Sequence, residues 1–328
     1  MKLIIDVDTG IDDALALLYV LASPEAELLA VTCTSGNIEA GQVAQNTLAL
    51  LDLAGRPDIE VALGRRVPLI RPLMTAAETH GPKGIGYATL SPPSRGVSAR
   101  GSAHLIVDEA RRAPGEVTLI TLAPLTNLAV ALQLEPELPR LLKNLVMMAG
   151  SYRSPGNTAP TSEWNTACDP EAMQAVLSAW EAANGVSRPV ALGLDVTERA
   201  KFLPDHLAQL HATAGNPQSN RVLQFIDDAL RFYMEFHSRY DGFYGAFIHD
   251  PLAVASALDS SLLATEALTV QVELDGKLTS GETVTDWRRV WNRPPNLEIG
   301  VAADIETFFA RFIDRVGALA ARTENMSL

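Results

Sequence analysis

Short apolar runs rich in β-branched residues alternate with longer segments whose apolar positions recur every three or four residues. The short runs are typical of buried strands, and the longer segments are typical of amphipathic helices. The predicted strands are Lys2–Val7, Glu27–Thr34, Val117–Thr121, Leu145–Met148 and Pro189–Leu194, and the predicted helices are Asp12–Ala22, Ala40–Ala54, Ser102–Arg112, Leu125–Leu134 and Pro170–Ala183. This alternation predicts an α/β fold in which a mostly parallel sheet carries helices on both faces.

The second half of the chain departs from this alternation. Residues 204–258 are helical in pattern and rich in aromatic side chains, and further strand-like runs follow at Ala267–Leu274 and Arg288–Trp291. The sequence contains no internal repeat, low-complexity stretch or convincing linker. We therefore predict a single domain over residues 1–328, with a helical and aromatic elaboration at 204–258 that caps the active site.

Composition and charge limit the possible partners. The 328 residues are 47% hydrophobic and carry a formal net charge of −13, which argues against nucleic acid and favours a small-molecule substrate. The apolar run at the N-terminus is too short for a secretory signal. The longest uncharged stretch, 117–134, contains Pro124 and several polar residues, which favours a buried strand and helix over a membrane span. The two cysteines indicate a reduced compartment. We expect a cytoplasmic protein with no membrane partner.

Four carboxylates lie within eight positions directly behind the apolar run Leu3-Ile4-Ile5, in the stretch DVDTGIDDALALL at 6–18. They are Asp6, Asp8, Asp12 and Asp13. Ionised carboxylates at such spacing repel one another, so they either have raised pKa values or lie beside a cation. Asp12 alone would be explained as a helix-starting residue, but four acids in this pattern are harder to explain in that way. Oxygen donors of this kind suit Ca²⁺ or Mg²⁺ better than zinc.

Other polar clusters follow predicted strands or precede predicted helices. They contain Asn37 in TSGN, the set Asn157, Glu163 and Asn165 in GNTAPTSEWN, and the pair His249-Asp250 in FIHDPLAVA. For any one Asn or Asp, turn or cap chemistry is the default interpretation. His80 is interpretable as a loop histidine, and we interpret the four histidines in helical patterns as surface or packing residues: His104, His206, His211 and His237.

Six segments, in this order, resemble the inosine–uridine nucleoside hydrolase family. They are DVDTGIDDALAL, TSGN followed by NTLALLDLAG, HGPKGIG, LAPLTNLA, GNTAPTSEWNTACDPEA and HDPLAVA. The match covers nearly the whole chain, and six spaced motifs are far more specific than any one of them. The resemblance implies an open, Rossmann-like α/β sheet and hydrolysis of the N-glycosidic bond of purine or pyrimidine ribonucleosides to ribose and free base. The resemblance also suggests nucleoside salvage, with breakdown of a modified nucleoside as the alternative role, and by analogy a homodimer or homotetramer.

The resemblance implies a tightly bound Ca²⁺ at the strand ends. Its ligands would be Asp8, Asp13, Asp250 and the main-chain carbonyl of Leu122, with water and the ribose diol completing the coordination. Asp8 would act as the general base and His249 as the acid beside the departing base. The remaining implied contacts to substrate are Asp12, Asn37, His80, Met148, Asn157, Glu163 and Asn165.

Three positions depart from the pattern of the family. Lys83 stands where an acidic or amide residue is usual, Trp164 where Phe is usual, and Ala149 where Gly is preferred. None is an implied Ca²⁺ ligand, but Lys83 lies in the loop on the base side, so these departures concern base preference. The histidine before Asp250 argues against the purine-specific branch of the family, which lacks it.

Two alternatives remain open at the level of sequence. The D-x-D motif of Asp6 and Asp8 also opens Mg²⁺-dependent phosphatases of the haloacid dehalogenase type, although that hypothesis leaves the SEWN and HDP segments without roles. The other alternative is a catalytically inactive nucleoside-binding protein. An assay for free base or reducing sugar with inosine and uridine, run beside an assay for phosphate release from a phosphomonoester, separates the three hypotheses. A nucleoside-binding protein without activity would release neither.

Overall fold

The computed structural model describes residues 1–214 and 220–325. Its strands are β1 Lys2–Val7, β2 Glu27–Cys33, β3 Glu60–Leu63, β4 Val117–Thr121, β5 Asn144–Met148, β6 Val190–Leu192, β7 Lys201–Phe202, β8 Ala246–Phe247, β9 Leu263–Leu268, β10 Val270–Val272, β11 Thr283–Thr285 and β12 Leu297–Ala303. Eight of them form one sheet in the order β3-β2-β1-β4-β5-β6-β12-β9. Within that sheet β9 runs antiparallel to its neighbour and the other pairs are parallel.

Helices cover both faces of this sheet. They are α1 Ile11–Ala22, α2 Ala40–Leu53, α3 Ala77–His80, α4 Ser102–Arg112, α5 Thr126–Leu134, α6 Leu138–Leu141, α7 Trp164–Cys168, α8 Pro170–Ala182, α9 Leu194–Thr197, α10 Pro204–Ala214, α11 Arg221–Tyr240, α12 His249–Leu258 and α13 Ile305–Asn325. None of the helices in the described ranges is long and apolar enough to cross a membrane.

The central strand β1 explains why the sheet is buried on both sides. Leu3 and Ile5 belong to a hydrophobic cluster that includes side chains of α1, α11, α12 and α13, whereas Ile4 belongs to a second cluster with α4, α5 and α8. Successive side chains of a strand point to opposite faces, so an unbroken apolar run requires cover on both. The sequence LII at the start of the chain thus fixes β1 in the middle of a doubly covered sheet.

The predicted alternation of strands and helices is confirmed, with element ends within a few residues of the predicted ones. Residues 204–258 are helical as predicted, except that β8 interrupts the helices and that 215–219 lie outside the described residues. The predicted strand at Ala267–Leu274 is divided between the end of β9 and β10.

The predicted strand at Arg288–Trp291 is wrong. The Asp286 carboxylate accepts the backbone N–H groups of Val290 and Trp291 at 2.9 and 2.7 Å, and Arg289 has a φ of +55°. An aspartate that accepts the N–H groups of following residues favours a turn over a strand, which apolar pattern alone does not reveal. The sheet strand in this region is β12, which the sequence pattern did not predict.

The polar loops that follow β1, β2, β4 and β5 are neighbours in space. These strands are adjacent and parallel, so their carboxyl ends share one edge of the sheet. Ligands of open α/β sheets bind at this edge. The sheet therefore brings together the segments that carry Asp8, Asn37, Leu122 and Met148.

Candidate active site

Asp8 and Asp13 are fixed to each other and to the loop after β2. Asp13 accepts the backbone N–H groups of Asp8 and Gly10 at 3.1 and 2.9 Å, and its Oδ2 also accepts the side-chain amide of Asn37 at 3.1 Å. The Oδ2 atom of Asp8 accepts the backbone N–H of Asn37 at 2.6 Å. Both carboxylates are fully buried and oriented by backbone donors.

Three carboxylates converge on one point beside this pair. Asp12, Asp13 and Asp250 each place an oxygen within 4.8 Å of the others. Burial, followed by repulsion from neighbouring carboxylates, raises the pKa values of Asp12 and Asp250 well above the ordinary aspartate value, and burial raises the pKa of Asp13 to about 6. A divalent cation would stabilise the ionised form of all three.

Oxygen donors suitable for a hard cation are present at this point. The Oδ1 atom of Asp8 is buried and accepts no hydrogen bond from any residue that the structure describes. The carbonyl oxygen of Leu122 lies at the end of β4 and accepts the side-chain amide of Asn165 at 2.9 Å. Ca²⁺ and Mg²⁺ take such carboxylate and main-chain oxygens. The sequence analysis expected Asp8, Asp13 and Asp250 as the carboxylate ligands and assigned Asp12 to the substrate. In the structure Asp12 belongs to the converging group, and Asp8 lies next to that group.

Asp6 does not belong to this group. Its Oδ1 accepts the Thr32 hydroxyl at 2.5 Å and the Asn127 side-chain amide at 2.8 Å, and burial raises its pKa to about 7. It is absent from the residues that line the neighbouring cavity. Its partners are residues of neighbouring elements, which indicates a structural role. The phosphatase hypothesis needs Asp6 and Asp8 in one active site, and this position of Asp6 argues against it.

A cavity of about 690 Å³ lies over the carboxylates at this edge of the sheet. All the predicted substrate-contacting residues line it, together with three other predicted site residues: Asp12, Asn37, His80, Met148, Asn157, Glu163 and Asn165, with Leu122, His249 and Asp250. Asp8 and Asp13 are fully buried and are not part of the lining. Residues 75–80 and side chains of α11 supply further parts of the wall.

Three polar side chains, which we call the polar end of the cavity, are partly hydrogen-bonded within the protein and keep other polar atoms for a ligand: Asn157, Glu163 and Asn165. Asn165 donates its amide group to the carbonyls of Leu122 and Met148 at 2.9 and 3.0 Å, so its oxygen remains for a hydroxyl of a ligand. Asn157 accepts the Trp164 backbone N–H at 2.9 Å, so its amide N–H groups remain. The Glu163 carboxylate is already shared with the start of α7, since it accepts the backbone N–H groups of Asn165 and Thr166 at 2.6 and 3.0 Å.

Two histidines that line the cavity, His80 and His249, which we call its histidine end, are buried and uncharged. The Nδ1 atom of His80 accepts the backbone N–H of Ile11 at 3.1 Å, and Nδ1 of His249 lies 2.8 Å from the Thr197 hydroxyl. Burial, more than the neighbouring histidines, lowers the pKa of each to about 3. His80 ends α3, whereas the sequence analysis placed it in a loop.

His237 is a lining residue that the sequence analysis did not predict. We interpreted it as a surface or packing residue, but its ring is buried in the cavity wall, and Nδ1 lies 2.7 Å from the Asp241 carboxylate. The helical spacing of Tyr233, Phe236, His237 and Tyr240 places them on one face of α11, and all four line the cavity. That spacing, with an acid four residues after the histidine, was the available signal.

We expect Gly36→Ala to lower turnover by about 10²-fold, because an ångström-scale displacement of a reacting group has an effect of that size. A Cβ at Gly36 would lie 2.0 Å from Oδ2 of Asp8, so the Asp8 carboxylate or the loop must move. Gly41→Ala is the matched control, since its Cβ would meet no atom within 4 Å. Steady-state kinetics of both variants test this expectation, and a fully active Gly36→Ala enzyme would show that the Asp8 position is unimportant.

Comparison with known proteins shows the same architecture in nucleoside hydrolases. The family model described as inosine-uridine preferring nucleoside hydrolase matches residues 3–310. The chain is 36% identical to the pyrimidine-specific ribonucleoside hydrolase RihA of an Enterobacter species, over 98% of this chain and 99% of the relative. It is 34% identical to the inosine-uridine preferring nucleoside hydrolase of Crithidia fasciculata, over 95% and 96% of the two chains.

A solved structure covers almost the whole chain. The purine-preferring ribonucleoside hydrolase of Gardnerella vaginalis superposes with a TM-score of 0.90 at 29% identity, over 98% of this chain and 100% of that one. The three similar proteins carry three different substrate preferences in their names, so similarity alone leaves the base undecided.

Proposed function

Since this chain belongs to the inosine-uridine preferring nucleoside hydrolase family, we propose that it hydrolyses the N-glycosidic bond of ribonucleosides with Ca²⁺ bound at the carboxylate cluster. The observation that carries the proposal is the convergence of Asp12, Asp13 and Asp250 beneath a cavity lined by amide and carboxylate side chains. The products are ribose and the free base.

The residues at the cavity floor fit a hard cation. Asp13 and Asp250, the buried Oδ1 of Asp8 and the Leu122 carbonyl supply oxygen donors from four parts of the chain. A bound Ca²⁺ would lower the pKa of a coordinated water and hold the ribose diol. Asp12 is close enough to the cluster to contact either the cation or the sugar.

Asp8 is the residue that receives the proton of the attacking water. Its Oδ2 is engaged by the Asn37 N–H, whereas its Oδ1 has no protein donor among the residues described. The water attacks C1′ as the bond to the base nitrogen breaks, and its proton passes to the Asp8 carboxylate. Because Asn37 and the Asp13-bound loop fix the carboxylate, this step needs little reorganisation.

The polar end of the cavity holds the sugar. The free oxygen of Asn165, the free amide of Asn157 and the partly engaged carboxylate of Glu163 are positioned to bind ribose hydroxyls. Glycoside hydrolysis passes through an oxocarbenium-like transition state that needs a flattened sugar ring. Contacts that hold the hydroxyls therefore lower the barrier as well as the dissociation constant.

We expect 2′-deoxyuridine to be hydrolysed on the order of 10⁴-fold less efficiently than uridine, judged by kcat/KM. A site built to hydrogen-bond a hydroxyl leaves buried polar groups unpaired when the hydroxyl is missing. 5-Methyluridine, which changes only the base, is the control and should remain a substrate. Comparable kcat/KM values for uridine and 2′-deoxyuridine would contradict the assignment of this end of the cavity to the sugar.

The histidine end of the cavity receives the base. His249 precedes Asp250 and lies in the same cavity, so its imidazole is within reach of a base attached to a sugar held at the cluster. We propose it as the residue that protonates the departing base. The names of the relatives support purine or pyrimidine ribonucleosides as the substrate class. A cytoplasmic location stays a prediction from the N-terminus and the cysteines, and a role in nucleoside salvage and a homodimer or homotetramer stay predictions from the resemblance.

A substrate panel tests the proposed function. Uridine, inosine, cytidine and adenosine are incubated with the purified protein, and free base and reducing sugar are measured beside phosphate release from a phosphomonoester. Release of ribose and base from at least one nucleoside is the expected result. Phosphate release without base release would support the phosphatase hypothesis, and binding without release of any product would support an inactive nucleoside-binding protein.

A further inference from the structure

Thr197 contacts the His249 ring from outside the cavity. It is the last residue of α9, is fully buried and is not part of the cavity lining, and its Oγ1 lies 2.8 Å from Nδ1 of His249. Among the residues that the structure describes, the His249 ring makes no other hydrogen bond. The bond made by one ring nitrogen of a histidine decides which nitrogen carries hydrogen, so the Thr197 hydroxyl controls what this ring presents to the cavity.

The helix that carries Thr197 is tied to the loop after β5. The backbone N–H of Leu194 donates to the Gly150 carbonyl at 3.0 Å. The Asp195 carboxylate accepts the backbone N–H of Tyr152 at 2.8 Å. These bonds hold α9, and with it Thr197, against the segment that leads to the polar end of the cavity.

The Thr197 hydroxyl has a single hydrogen and two acceptors within reach, Nδ1 of His249 at 2.8 Å and the Gly193 carbonyl at 3.2 Å. The Gly193 carbonyl already accepts the backbone N–H groups of Val196 and Thr197, each at 3.1 Å. Both lone pairs of that oxygen are therefore in use. The shorter contact and the free lone pair favour donation to Nδ1, which leaves the hydrogen of the neutral His249 ring on Nε2.

Nε2 of His249 opens into the cavity. It has no hydrogen-bond partner among the described residues and is not enclosed by the protein, whereas Nε2 of His237 is enclosed. When the C1′–N bond breaks, its electron pair goes to the base nitrogen. An N–H directed at the base stabilises this growing charge, whereas a bare lone pair on Nε2 would repel it.

His80 provides an independent case of the same arrangement. Its Nδ1 accepts the backbone N–H of Ile11 at 3.1 Å, and a backbone N–H can only donate. The hydrogen of the neutral His80 ring therefore lies on Nε2. Because this assignment does not depend on the direction of a hydroxyl, His80 is an internal reference for His249.

We propose that Thr197 is a positioning residue for cleavage of the glycosidic bond, whose hydroxyl donates to Nδ1 of His249 and so holds the Nε2–H of that ring toward the departing base. The inference rests on the proposed function and adds a residue to its account of the leaving group. Thr197 does not line the cavity, so it acts on the base only through His249.

The position of the ring hydrogen is the first measurement. Proton–nitrogen correlation spectra of the ¹⁵N-labelled enzyme show which ring nitrogen carries hydrogen, and the spectra of His249→Ala and His80→Ala assign the two rings. We expect hydrogen on Nε2 of both rings in the wild type. In Thr197→Val the new side chain neither donates nor accepts, so the His249 signals should change while those of His80 stay the same.

Turnover of two substrate classes is the second measurement. Thr197→Val should lower kcat for uridine and inosine by about tenfold, the contribution of one hydrogen bond, and change kcat for p-nitrophenyl riboside by less than about twofold. Thr197→Ser keeps a hydroxyl and should recover most of the loss. Thr118→Val is the matched control, because the Thr118 hydroxyl on β4 is buried and has no hydrogen-bond partner among the described residues. It should leave both substrate classes unaffected.

The outcomes separate this inference from the proposed function. Hydrogen on Nε2 of His249, with a loss in Thr197→Val that is confined to uridine and inosine and recovered by Thr197→Ser, supports the inference. Hydrogen on Nδ1 in the wild type, equal losses on both substrate classes, a loss that Thr197→Ser does not recover, or an unchanged kcat overturns it, and the proposed function stays intact as long as the wild type hydrolyses uridine or inosine.

The wild-type spectrum needs no change at Thr197, so it can overturn the inference even where Thr197→Val folds poorly. If the wild type hydrolyses no riboside, the proposed function fails and the inference fails with it.

Discussion

Replacing Asp13 with alanine is expected to abolish binding of the cation and to lower turnover by on the order of 10³-fold or more, since a metal supplies several kcal/mol of stabilisation to a reaction of this kind. Asp13 contributes an oxygen to the carboxylate cluster and also accepts the N–H groups of Asp8 and Gly10. The substitution therefore removes a proposed ligand and leaves buried donors unpaired, at a cost of about 1–3 kcal/mol for each donor.

Metal content and thermal unfolding of the same preparation test this prediction. Asp13→Ala should be folded, with a lower Tm than the wild type and without stoichiometric Ca²⁺. Asp314→Ala removes an exposed carboxylate from α13 and serves as the control, which should keep both metal and activity. An Asp13→Ala enzyme with full turnover and no metal would refute the assignment of the cluster.

The second large effect is expected at His249. If it protonates the departing base, His249→Ala should lower kcat for natural nucleosides by about 10²–10⁴-fold, the usual contribution of a positioned acid. Burial lowers its pKa to about 3, so the free enzyme holds a neutral ring at pH 7, and this ring would act on the departing base through its N–H. We therefore expect no decline in activity near pH 6.5 from this residue as pH rises.

The leaving group distinguishes an acid from a packing residue. p-Nitrophenyl riboside needs little protonation at departure, so His249→Ala should hydrolyse it almost normally while failing on uridine or inosine. His104→Ala, a change of an exposed histidine on α4, should affect neither substrate class. Parallel losses on both classes would show that His249 only supports Asp250, and a loss restricted to purines or to pyrimidines would limit its role to that base.

The fold was predictable where apolar runs are continuous and flanked by helical patterns. The strand Lys2–Val7 was predicted with its observed ends, because a parallel strand buried on both sides carries a continuous apolar run, here Leu3-Ile4-Ile5. Glu60–Leu63 and Leu297–Ala303 are part of the same sheet but were not predicted. The first is short and the second contains Glu298 and Gly300, so neither gives a clear apolar signal.

The motifs predicted which residues meet at the cavity, whereas the spacing of the acids alone did not. Asp6 and Asp8 are equivalent in the D-x-D pattern, yet Asp6 is tied to Thr32 and Asn127 outside the cavity, whereas Asp8 lies beside the cluster. Asp250 is brought to the cluster by the tertiary fold, since more than two hundred residues separate it from Asp13. His237 escaped prediction because its partner Asp241 and its aromatic neighbours only become a cavity wall when α11 packs over the sheet edge.

The most direct test of metal-dependent ribonucleoside hydrolysis is removal and restoration of the cation on one preparation. The enzyme is treated with a chelator, freed of it, and assayed for base release from uridine and inosine before and after addition of Ca²⁺, with Mg²⁺ in a parallel sample. We predict that activity disappears on chelation, returns with about one equivalent of Ca²⁺ per chain, and returns less fully with Mg²⁺, which accommodates irregular sets of oxygen ligands poorly. Undiminished hydrolysis by a protein shown to contain no metal would contradict the account.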